Sequence, residues 1–225
     1  MATKGCTEAD EPNIFTDTGW FQLETTRVPT AEDLDALQKR VGDAGALSAP
    51  EHWDPVKDAT IVQKHDLKTG SDEYTQVFKS FMSTLYTYKK PITVLKITRI
   101  QNLAMWQTYV VKRQTICYRD LGDKIDDESE LKQAIHRFER SWLWHGTNFD
   151  VMDKILQQGF NRSFCGRNAT MYGKGVYFAR DASYSAYPGY SVPDRNGVQY
   201  MMACRVVVGE VRTIICTILL TLHSY

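Results

Sequence analysis

Residues 142–190 read WLWHGTNFDVMDKILQQGFNRSFCGRNATMYGKGVYFARDASYSAYPGY, the most informative stretch of the chain. Trp142–His145 reads as a short strand ending at His145-Gly146-Thr147. A helix follows, with Thr147 predicted as its cap and Asp150 as the capping-box partner. Phe149, Met152, Ile155 and Leu156 share its inward face, and Gly159 stops it. His145 thus stands at a strand end beside a helix amino terminus, where main-chain N–H groups point outward and hold polar or anionic groups. The glycine after it lets a ligand approach the main chain without a Cβ in the way. The residues up to Tyr172 read as loop, Gly173-Lys174-Gly175 as a tight turn, and Val176–Ala179 as a second strand.

Singly, these features have ordinary explanations. A phosphate-binding loop of the form G-x-x-x-x-G-K-[ST] needs glycine where Asn168 stands and Ser or Thr where Gly175 stands, so the pattern fails twice. A single histidine is commonly structural, and a strand tyrosine is commonly core. Cys165 paired with His145 as a thiol hydrolase lacks a third orienting group.

Upstream, Ser71 is the predicted cap of a helix whose Tyr74, Val77, Phe78, Phe81 and Leu85 form one stripe. ITVLKITRI, residues 92–100, is rich in β-branched side chains and reads as a strand, and Asn102 opens a helix presenting Met105, Trp106, Tyr109 and Val110. Leu131, Ile135 and Phe138 mark a short helix beyond an acidic loop. Residues 1–46 form a polar leader with one helix, capped by Thr30 and striped by Leu34, Leu37 and Val41, and the compact domain is expected to run from 47 to 225.

With 27 Lys+Arg against 27 Asp+Glu, 43% hydrophobic and 24% charged residues, the composition is that of a globular protein, not a disordered or collagen-like one. Zero net charge with no basic block supplies no footprint for phosphate backbones, so nucleic acid is not expected as a direct partner. The five scattered cysteines include no CxxC pair, which argues against a disulfide framework or a zinc knuckle and for a reducing compartment. MATKGCTEADEP lacks an apolar h-region, and TIICTILLTL from Thr213 to Leu222 is about half the length of a membrane-spanning helix. The expectation is an intracellular protein of nucleus or cytoplasm, with no membrane contact, whose glycosylation tripeptides at Asn161 and Asn168 go unused.

Jointly the motifs say more. WLWHGT (142–147), GFNRSFCGRNA (159–169), YGKGVYFA (172–179) and SYSA (183–186) resemble the poly(ADP-ribose) polymerase-like family of ADP-ribosyltransferases, in particular its mono-ADP-ribosylating branch, and the likeness covers about residues 49–210. The resemblance implies an α+β fold in which two small antiparallel sheets form a split half-barrel flanked by helices, with NAD as substrate in the cleft and no metal. By motif position, His145 would hydrogen-bond a ribose hydroxyl, main-chain groups of Gly146 would hold the nicotinamide carboxamide, and Thr147 would reach the adenosine ribose. Tyr177 would stack on one face of the nicotinamide, Ser185 would bond its carboxamide, and Tyr190, with Tyr187 as competitor, would close the other face. His145 and Tyr177 are the residues implied in catalysis. An aromatic sandwich holds a flat cationic ring with about 1 kcal/mol per face and orients the glycosidic bond for cleavage through an oxocarbenium-like centre.

The carboxyl end departs from the family. Past the strand expected in YMMACRVVVGEV, residues 200–211, the sequence continues RTIICTILLTLHSY, with no counterpart of the third active-site position, a glutamate in polymer-forming members. The expectation is a catalytic domain truncated at its carboxyl terminus, with a divergent tail from about residue 212 that leaves an open sheet edge. Two functions fit: a transferase moving ADP-ribose from NAD to side chains of itself and other proteins, in particular Asp and Glu, or an inactive relative serving as an NAD-binding or interaction module.

Overall fold

The computed structural model describes residues 21–22, 48–56, 58, 61–86, 91–121, 129, 132–133, 135–136, 139–160, 176–207 and 213–224, with only the backbone described for 21–22, 118–121, 140–141 and 213–224. The helix expected over Thr30–Val41, the Gly173-Lys174-Gly175 turn and Cys165 lie outside these residues.

Local sequence accounts for most elements. Helix α1 (Asp72–Ser83) starts where the Ser71 hydroxyl accepts the Tyr74 amide at 3.3 Å, and its stripe buries Val77 and Phe81 completely. Strand β3 (Ile92–Gln101) follows, and then Asn102 caps helix α2 (Leu103–Leu121), its side-chain oxygen accepting the Met105 amide at 3.0 Å. Strand β4 (Glu139–Thr147) leads into helix α3 (Phe149–Gln158), which ends at Gly159 with φ 75°. Of the short helix expected near 131–138, residues 132, 133, 135 and 136 are helical.

The fold is α+β. Strands β2 (Gln63–Asp66), β3, β7 (Thr213–Ser224), β6 (Val198–Val207) and β4 form one antiparallel five-stranded sheet in the order β2-β3-β7-β6-β4. A second, two-stranded antiparallel sheet pairs β1 (Phe21–Gln22) with β5 (Tyr177–Phe178), so a piece of the polar leader adds to it. An isolated bridge between Trp144 and Ala179 joins the two sheets.

The expectation of an open sheet edge is corrected here. The tail does not leave β6 with an open edge: Thr213–Ser224 lies between β3 and β6 and is paired to both. TIICTILLTLHS is dominated by β-branched and apolar residues, a strand-forming composition, and two neighbouring ladders satisfy its main chain.

Period-two alternation sorts the core. Leu143, Met202 and Cys204 pack with Met152, Ile155 and Leu156 of α3, while Trp144, Met201 and Ala203 pack with Val77 and Phe81 of α1 and with Ala182 and Ala186. The α3 face thus lies on one side of β4 and β6, and α1 on the other. A bulge between Arg140 and Leu143, where Trp142 takes φ 62°, sets this phase in β4. Glu139, at the start of β4, pairs with Arg113 of α2 at 3.1 Å and Arg205 of β6 at 3.3 Å.

Phe81 is the keystone of the α1 side, its ring edge-on to Trp144 at 5.5 Å. Replacing it by Ala should destabilise the protein by about 3–5 kcal/mol. Met82→Ala, one residue on and 45% exposed, should stay within about 0.5 kcal/mol of the parent. Urea denaturation of the two variants checks this; equal effects would contradict the packing described.

Candidate functional site

The bridge between Trp144 and Ala179 builds the site. Trp144 N–H donates to the Ala179 carbonyl at 2.7 Å and the Ala179 amide donates back to Trp144 at 2.8 Å. Val176–Ala179 is thereby laid against the end of β4, with Tyr177 beside His145. The His145 Nδ1 is 2.9 Å from the Tyr177 carbonyl oxygen. A carbonyl only accepts, so Nδ1 carries the proton. The neutral ring then keeps its lone pair on Nε2, an acceptor for a hydroxyl donor.

Burial favours that neutral form. Desolvation holds the His145 pKa below its ordinary value of 6.5, against a smaller upward pull from the Tyr177 carbonyl. The ring packs edge-on to Phe160 at 5.0 Å and tilted against Phe178 at 5.4 Å, which fixes its plane.

Gly146 has a different reason to be glycine than the sequence suggests. A Cβ there would stand 2.2 Å from the Ser185 carbonyl oxygen and 3.0 Å from the Ser191 amide, so the missing side chain admits protein main chain. Ser185, 4% exposed, ends helix α4 (Ala182–Ser185), and its hydroxyl donates to the Trp144 carbonyl at 3.0 Å. His145, Gly146, Tyr177 and Ser185 are therefore joined around one residue, Trp144.

Tyr190 is tied to α4. Its ring stacks on Tyr184 with centroids 4.7 Å apart, and the two phenol hydroxyls share a hydrogen bond. Tyr187 stands outside this pair, 60% exposed and tilted 6.0 Å from the Tyr190 ring. The loop is stapled by Gln199, a fully buried amide whose Nε2 donates to the carbonyls of Ala186 at 2.9 Å and Ser191 at 2.7 Å. An isolated glutamine inside the apolar β6 was the available signal for it.

Two details at the helix start are corrected. The cap of α3 is Asn148, whose side-chain oxygen accepts the Val151 amide at 2.9 Å. Thr147 remains in β4, buried and opposite Tyr200. With the cap one residue later, Phe149 becomes the first helical residue; it does not face inward but is 52% exposed, covering the Tyr200 ring at 5.1 Å. At the far side, the row His145–Met202–Leu219 crosses from β4 through β6 to β7, a strand without a carboxylate.

The chain has relatives among known proteins. The family model of the poly(ADP-ribose) polymerase catalytic domain matches residues 71–220. The chain is 35% identical over 167 residues to protein mono-ADP-ribosyltransferase PARP12 of Mus musculus, covering 74% of this chain and 21% of that protein. Its human counterpart is 37% identical over 168 residues, again 74% of this chain and 21% of the relative. Human protein mono-ADP-ribosyltransferase PARP14 is 33% identical over 163 residues, 72% of this chain and 8% of that protein. The chain thus spans about a fifth or less of the length of these relatives. Among the described residues no helix is long and apolar enough to cross a membrane.

Gly146→Ala should destabilise by about 3 kcal/mol, since the clash is with main chain on both sides; an unchanged melting temperature would contradict the packing. For His145, the unfolded chain binds a proton that the folded chain refuses, so stability falls as the pH drops below 6.5 through the lowered folded value. Between about pH 7.5 and about pH 5 the parent should therefore lose more melting temperature than His145→Gln. Parallel slopes in calorimetric scans would show that His145 is not held neutral.

Proposed function

The chain belongs to the poly(ADP-ribose) polymerase catalytic-domain family, and on that footing we propose that it is a protein mono-ADP-ribosyltransferase, taking single ADP-ribose units from NAD and releasing nicotinamide. The observation that carries this reading is the fixed His145 tautomer: Nδ1 is committed to the Tyr177 carbonyl, so Nε2 can accept only from a donor such as a ribose hydroxyl. The joined sheets are, in this reading, the two halves of the split half-barrel.

The site residues then divide the work. His145 orients the nicotinamide ribose through Nε2, and Gly146 presents its main chain to the carboxamide. Ser185, whose hydroxyl hydrogen is engaged by Trp144, offers an oxygen lone pair to the carboxamide N–H. Tyr177 and Tyr190 cover the two faces of the pyridinium, and Thr147 lies toward the adenosine side. In the transfer, the bond between the ribose anomeric carbon and the pyridinium nitrogen breaks with its electron pair going to nicotinamide. A carboxylate oxygen of an Asp or Glu acceptor, on this chain or another protein, forms the new bond. The charges cancel and no proton is released. Holding the ring and the ribose together is what turns binding into orientation.

Incubation with NAD labelled in its adenylate part tests the reading. Covalent label on the protein, release of nicotinamide in equal amount, and removal of the label by neutral hydroxylamine are expected for carboxylate esters. His145→Ala should lower the labelling rate by about a hundredfold. Binding of NAD with no label would favour the alternative of an inactive NAD-binding module, and neither binding nor label would overturn the proposal.

A further inference from the structure

Helix α4 is a single turn, and the side chain of its own cap residue does not cap it: the Asp181 main-chain carbonyl accepts the Tyr184 amide at 3.2 Å, but its carboxylate bonds none of the turn's amides. Its carboxylate instead accepts the Tyr86 hydroxyl at 2.9 Å and faces the Arg180 Nε at 3.5 Å. The two leading amides of the turn are taken by one residue from the end of α1. Ala182 N–H donates to the Thr84 hydroxyl oxygen at 3.1 Å across 98 positions of sequence, and Ser183 N–H donates to the Thr84 carbonyl at 3.1 Å. The Thr84 hydroxyl hydrogen is directed back into α1, toward the Ser80 carbonyl at 3.0 Å or the Phe81 carbonyl at 3.3 Å, which leaves its lone pair facing Ala182.

The other end of the turn is equally constrained. Ser185 is bonded to the Trp144 carbonyl, and its own carbonyl rests against Gly146. Ala182 has no exposed surface and packs in the cluster of Val77, Phe81 and Trp144. No water can therefore replace a lost partner of the Ala182 amide without repacking, and a buried donor left unpaired is costly. The turn would shift to find another acceptor, and Ser185 with Tyr184 and the Tyr190 stack would shift with it.

We infer that Thr84 is a positioning residue for NAD, capping α4 from another helix and thereby holding Ser185 and the Tyr184–Tyr190 pair in register with His145. The inference rests on the transferase reading and deepens it. Thr84 touches no substrate; it acts through the turn.

The test compares the full chain with Thr84→Val, which keeps the shape and loses the hydroxyl, and with Thr84→Ser, which keeps the hydroxyl. Calorimetric titration with NAD should show affinity lowered about fivefold to tenfold in Thr84→Val and restored in Thr84→Ser. In turnover the change should appear in KM for NAD, with kcat altered by less than about twofold. Equal NAD affinity of Thr84→Val and the parent, or failure of Thr84→Ser to recover, overturns the inference alone; absence of NAD binding by the parent overturns the underlying reading. If Thr84→Val does not fold, amide exchange in the parent decides. Ala182 and Ser183 amides protected like those inside α1 support the clamp, and amides exchanging as fast as an uncapped helix start overturn it.

Discussion

The reciprocal pair of main-chain hydrogen bonds between Trp144 and Ala179 is the constraint on which the rest depends. It fastens a strand of two residues that has little stability of its own to the edge of a five-stranded sheet. Once it is made, the Tyr177 carbonyl has one place to be, and His145 finds it. The Trp144 carbonyl accepts a second donor, the Ser185 hydroxyl, while its ring anchors Phe81 and the α1 side of the core. A single residue thus couples the sheet, the histidine, the serine turn and the helix beneath them. Much of the site is main chain held by main chain, which resists side-chain repacking.

The histidine is an example of environment selecting one chemical state. An imidazole in water samples two tautomers and protonates near neutrality. Here a carbonyl selects the proton position and two phenyl rings remove the water that would stabilise the cation. The product is a directional acceptor, which suits binding a hydroxyl and does not suit acid catalysis.

How much was legible in the sequence follows from the range of each interaction. Ser71 and Asn102 announce their helices because a cap acts within three residues, and the β-branched run of β3 announces itself by composition. The α+β class and the neighbourhood of His145, Gly146, Tyr177 and Ser185 were legible through the family resemblance that the motifs carry jointly, not from the strand and helix patterns alone. Thr147 and Asn148 are both good caps, and only the pairing of Thr147 with Tyr200 in the sheet decides between them. That choice displaces Phe149 from the core to the flank. The place of the tail between β3 and β6 is not legible, because strand composition says nothing about which neighbours are vacant. Thr84 is invisible for a simpler reason: its partner is set by the folded chain, and a threonine at a helix end carries no sign of what it holds. Gln199 stands out as a lone amide in an apolar strand, but the carbonyls it holds are likewise set only by the fold.

The central claim is that docking of β5 on Trp144 leaves His145 neutral, with its proton on Nδ1 and its lone pair on Nε2. Nitrogen-15 NMR of the imidazole in the full chain measures this directly at neutral pH. The account predicts one tautomer, protonated at Nδ1, with the Nε2 resonance moving when NAD is added. A resonance pattern of the Nε2-protonated ring, or of a cationic or rapidly averaging one, would contradict it.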